Sequence, residues 1–136
     1  MIMQKLFKRI TDENVQDIVD TASFGGITYW ATEPNEQEFA GLPEGKEYTI
    51  TEGVDDFPFG GRTVDAVHYL SKDDVRLAFC KLLDPGQELV NDEINGYILD
   101  AWRDRTEKDG IDAGHIDASA ADAIIQVACF DELRYG

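Results

Sequence analysis

Basic residues are scarce in this chain: twelve lysines and arginines face 28 acids, for a net charge of −16 over 136 residues. So negative a surface repels phosphate, which argues against direct nucleic-acid binding and against anionic membranes, and favours solubility or a basic partner. Long apolar runs are missing as well. The opening MIMQKLFKRI carries no extended hydrophobic segment and no cleavage-site pattern, so it reads neither as a signal peptide nor as a membrane span, and the expected location is cytoplasmic.

Histidine and cysteine are few, two of each. Cys80 and Cys129 stand among apolar residues at helical spacing and not in a metal-type pair, which predicts buried, reduced thiols. His68 shares a strand face with Val64, Ala66 and Leu70 and is expected to be a hydrogen-bonded structural histidine. No nucleophile elbow surrounds a serine, and the pairs Gly25-Gly26 and Gly60-Gly61 lack the contexts that place a phosphate at a helix start. The expectation is a protein without catalytic residues, cofactor or metal. DRTEKDGIDAGHID is no EF-hand: with Gly110 at the sixth position, Arg105 and Ile116 fall where carboxylates must ligate. A looser cluster of Asp109, Asp112, His115 and Asp117 is a weak metal signal without a second histidine, and a solvated acidic loop explains it equally well.

What is present is periodicity. Residues 2–10 read as a first strand. In TDENVQDIVDTASF, Thr11 or Asp12 caps a helix with Val15, Ile18, Val19 and Ala22 on one face, and Gly25 is expected to end it in the left-handed conformation. ITYWATE reads as a strand with Ile27 and Tyr29 toward the core and Trp30 on the other face. Residues 34–45 read as a loop, KEYTITE and RTVDAVHYL as strands, and the three strands as an antiparallel meander. Ser71, with Asp74 three residues on, starts a helix buried through Val75, Ala78, Phe79 and Leu82, stopped by Asp84-Pro85-Gly86. Asn91 or Asp92 starts another, with Ile94, Tyr97, Ile98, Ala101 and Trp102 inward. ASAADAIIQVACFDEL, apolar nearly all round, is expected at the centre of the packing. The sum is a single α+β domain over residues 1–136: an antiparallel sheet of three or four strands packed with about four helices.

The acids are ordered too. Residues 33–57 carry eight acids and one base, and residues 91–136 eleven and four. Glu13, Asp17 and Asp20 fall at i, i+4 and i+7 opposite the apolar stripe of one helix, and Glu93, Asp100 and Asp104 line the outer face of another. At about one charge per 1.7 Å of duplex, sixteen charges correspond to roughly 27 Å, or about eight base pairs. The pattern points to an acidic decoy that occupies the nucleic-acid groove of a basic protein through these six carboxylates, with Trp30 as a candidate anchor. A solvated surface is the plain alternative. Two other readings stand beside it: a ligand-binding or sponge protein for a signalling nucleotide, with Arg62, His68 and Tyr69 nearest to a basic and aromatic pocket, and a small assembly protein that self-associates through an apolar patch.

GGITYW near the start and DAIIQVACFDELRYG at the end together resemble a family of small acidic phage and prophage proteins, mainly of actinobacteria. That family has no established activity, so the resemblance implies no catalytic residues. It implies a phage setting, and in that setting the charge, by analogy with acidic DNA mimics directed against restriction enzymes and CRISPR effectors, points to a basic nucleic-acid-binding host protein as partner and the host cytoplasm as location.

Overall fold

The computed structural model describes residues 2–84 and 86–136. In chain order these form α1 (Ile2–Lys8), α2 (Asp12–Thr21), β1 (Ala31–Thr32), α3 (Glu36–Ala40), β2 (Tyr48–Asp55), β3 (Arg62–Leu70), α4 (Lys72–Leu83), α5 (Asp92–Arg103) and α6 (Ala118–Phe130). The strands make one antiparallel sheet in the order β1-β2-β3. The fold is α+β, with six α-helices among the described residues where about four were expected.

The helix starts follow from local chemistry. The Thr11 hydroxyl accepts from Asn14 N–H and the Ser71 hydroxyl from Asp74 N–H, and in each the cap's own N–H donates to the side chain of that third residue, while Asn91 caps α5 through Ile94 N–H. Each cap satisfies backbone donors that the first turn leaves unpaired. α6 lies at the centre: Ala120, Ala121, Ala123, Ile124, Ile125 and Val127 are buried, and α2, α4 and α5 pack around it. Ile50, Glu52, His68 and Leu70 face α6 and the residues after it, with His68 edge-on to Phe130 at 5.0 Å. The opposite sheet face receives α3, where Tyr69 OH donates to the Glu38 carbonyl over 2.8 Å and the Thr51 hydroxyl to Glu38 Oε1 over 2.9 Å.

Four expectations are corrected. Residues 2–8 are helix, not strand: the neighbours Leu6 and Phe7 both pack against the core, whereas strand alternation would send them to opposite faces. Gly25 is not a left-handed stop, because α2 widens into a π-helical turn over Ala22–Gly26 and Gly25 has no positive φ. The strand expected over residues 27–33 shrinks to Ala31–Thr32, since Trp30 N–H and Ala31 N–H both donate to the Ile27 carbonyl and fold residues 27–30 into a turn. That turn sends Tyr29 outward, at 50% exposure, and Trp30 inward, at 3%. Inside the expected loop 34–45 lies α3, opened by a capping box between Asn35 and Glu38. α4 ends at Leu83 as expected; Pro85 of the expected stop lies outside the described residues.

Candidate functional site

Glu13, Asp17 and Asp20 stand exposed on α2, opposite buried Val15, Ile18 and Val19. With a rise of about 1.5 Å per residue, the row covers about 10 Å of helix axis. Among the described residues none of the three forms an ion pair; Asp20 only accepts a 2.8 Å bond from the Gln16 amide. Neighbouring Asp12, by contrast, is held by Arg76. The row runs into Phe24, which is 95% exposed, and Asp20, Thr21, Phe24, Gly25 and Ala118 border one shallow depression. The sequence carried a signal for this: Phe24 falls two residues past Ala22, off the apolar stripe.

The α5 row is different in kind. Glu93 accepts from Tyr97 OH over 2.8 Å, Asp100 pairs with Arg103 at 3.3 Å, and Asp104 contacts His115 at 2.7 Å and Arg103 at 3.4 Å. The bond with His115, and after it Arg103, holds the Asp104 carboxyl below the ordinary range. α2 and α5 find their main packing partners in α4 and α6 and not in each other, so the rows lie on separate helices with unequal free charge.

Trp30 offers no face to a partner. Its ring stacks on Tyr135 at 5.5 Å and meets Phe130 at 5.3 Å, and its indole N–H donates to Asp122 Oδ1 over 2.8 Å. The expected anchor is therefore a core residue, and the exposed aromatic beside the acidic row is Phe24.

Of the residues nearest to a nucleotide pocket, Arg62 and Tyr69 both turn to Glu38 of α3, where that acid occupies the guanidinium, and His68 lies on the other sheet face. Arg62 grips both carboxylate oxygens of Glu38 and also donates to the Glu33 carbonyl over 3.2 Å; His68 Nε2 lies 3.0 Å from Glu52 Oε1; Tyr69 points to the other sheet face, onto α3. Glu52 is itself buried. Burial pushes its carboxyl up, but hydrogen bonds from Tyr135 and His68 outweigh burial and leave it below the ordinary value. His68 thus holds the structural, hydrogen-bonded place expected of it. A cleft of about 400 Å³ between the π-turn, β1 and β2 is lined by Ser23, Thr28, Thr32, Glu33, Thr49 and Thr51. Its lining holds no lysine or arginine, which suits a phosphate poorly.

In the loop before α6, Asp112 and His115 meet Asp104, with one ligand-type atom from each within 4.8 Å of the others. Asp109 and Asp117 of the expected cluster are elsewhere: Asp117 caps α6 through Ala120 N–H. The thiols are free, and burial pushes Cys80 up to about 11 and Cys129 to about 12, far from the thiolate a nucleophile needs. No helix of the described residues is long and apolar enough to cross a membrane. No family model, curated protein or solved structure matches the chain.

Proposed function

We propose that the protein is a non-enzymatic acidic inhibitor of the phage type, which occupies the nucleic-acid groove of a basic host protein in the host cytoplasm as a mimic of a short duplex. The observation that carries this reading is the α2 row: three exposed carboxylates without ion-pair partners among the described residues, ending at an exposed phenylalanine. Charge held this way has no ion pair to break on binding, whereas Asp100 and Asp104 would first have to leave Arg103 and His115. The α2 face is accordingly the primary contact and α5 a secondary one. An aromatic beside the carboxylates gives a duplex mimic the dry centre that interface anchors favour.

The experiment is displacement of a fluorescent duplex from DNA-binding proteins of the host, by the protein and by the variant Glu13→Gln/Asp17→Asn/Asp20→Asn. Displacement by the native chain, lost on raising salt and weakened about tenfold or more in the variant, is the expected result. Equal potency of the two chains removes α2 from the reading; absence of displacement from every such protein at low salt removes the reading itself.

A further inference from the structure

The β2–β3 hairpin carries a second exposed aromatic group, far from α2 in sequence. At the bulge between Glu52 and Gly53 the strands close tightly because Gly53 has no side chain: a Cβ there would lie 2.1 Å from the Thr63 carbonyl oxygen. Beyond it the ladder runs to Asp55↔Arg62, and the tip is cross-braced. Asp55 Oδ1 accepts from Phe57 N–H over 3.0 Å, the Asp56 carbonyl accepts from Phe59 N–H and Gly60 N–H over 2.9 Å each, and Asp56 N–H donates to the Gly61 carbonyl over 3.2 Å. This hydrogen-bonded turn holds Phe57 82% and Phe59 98% exposed, above the partly exposed Val54 and Val64.

A braced loop that displays two phenylalanines outward has the composition of an interface centre: aromatic anchors, with charge kept to the rim. The rim here is acidic. Asp55 and Asp56 are exposed, and neither forms an ion pair among the described residues. We propose that this tip inserts into an apolar pocket with a lysine- or arginine-rich rim on a partner protein. Charge complementarity selects that occupant. A second copy would bring two rings of aspartate together at −16 each, and an anionic bilayer would repel the same rim. The inference does not depend on whether the partner's α2-facing surface binds nucleic acid.

The test places a photo-crosslinking phenylalanine analogue at position 59, or at exposed Glu88 as control, in the full chain within the cells that make it. An adduct at 59 and not at 88, mapped to an apolar pocket with a basic rim, is the expected result. Phe57→Ser/Phe59→Ser should then weaken retention of that purified partner by about 30-fold or more with an unchanged melting temperature, and Asp55→Asn/Asp56→Asn should weaken it less and flatten its salt dependence. The α2 triple variant should leave the adduct at 59 in place, which separates failure of the tip from failure of the inhibitor reading. No adduct, an adduct to a second copy, binding to vesicles in place of protein, or retention unchanged in the phenylalanine variant each overturns the proposal.

Discussion

One carboxylate, Asp122 on α6, holds both aromatics of the turn that follows α2: Trp30 Nε1–H donates to its Oδ1 over 2.8 Å and Tyr29 OH to its Oδ2 over 2.6 Å. The residues are more than ninety positions apart in the chain, so this pair of bonds clamps the start of the fold to its last helix. Asp122→Ala leaves the buried indole N–H without a partner and should cost about 1–3 kcal/mol in urea denaturation. Tyr29→Phe, at a half-exposed hydroxyl, should cost about 1 kcal/mol or less.

The two adjacent glycines differ in what surrounds them. A Cβ on Gly26 would lie 2.6 Å from the Ala118 carbonyl oxygen, a backbone atom that cannot swing away, whereas a Cβ on Gly25 meets nothing within 4 Å. Gly26→Ala should therefore destabilise by about 1–3 kcal/mol by overpacking the junction with α6. Gly25→Ala should be neutral or stabilise by up to about 1 kcal/mol. Thermal melts of the two variants distinguish them.

Much of this architecture is legible in the sequence because its causes are local. Thr11, Ser71 and Asn91 start helices where their side chains reach backbone donors within three residues, and RTVDAVHYL forms a strand over its whole length. The exposure of Glu13, Asp17 and Asp20 follows from helical period in the same way. What the local pattern could not give depends on distant partners. Trp30 is inward because Asp122 and Tyr135 receive it, and the turn 27–30 replaces strand because α2 widens before it ends. The free charge of α2 against the paired charge of α5 is likewise tertiary, set by where Arg103 and His115 reach. α3 was readable, since Asn35 and Glu38 form a capping box, but the glycines and prolines around it masked the signal.

Glu38 sets an acid limit. The Arg62 guanidinium, and with it the Asn35 N–H and the Thr51 hydroxyl, hold its carboxyl down from the ordinary 4.5 to about 2. A depressed folded-state value means that the carboxylate's stabilising contribution is complete above pH 4.5 and is lost as pH falls toward 2. Glu38→Gln should lower the melting temperature at neutral pH and flatten its fall over that window. A parallel fall in both chains would assign acid sensitivity to other carboxylates.

Both thiols should react slowly with a thiol reagent at pH 8 in the native protein and at once after unfolding, because burial holds Cys80 near 11 and Cys129 near 12. Fast native labelling of Cys80 would mean that the core around α4 opens readily.

The claim that α2 carries the binding face is tested most directly by titrating the native chain and the variant Glu13→Gln/Asp17→Asn/Asp20→Asn/Phe24→Ser into a host DNA-binding protein loaded with labelled duplex. Every substituted side chain is exposed, so the variant should fold as the native chain does. The native chain should displace the duplex at low salt, and the variant should need about tenfold or more protein to do so. Displacement curves that superimpose would contradict it.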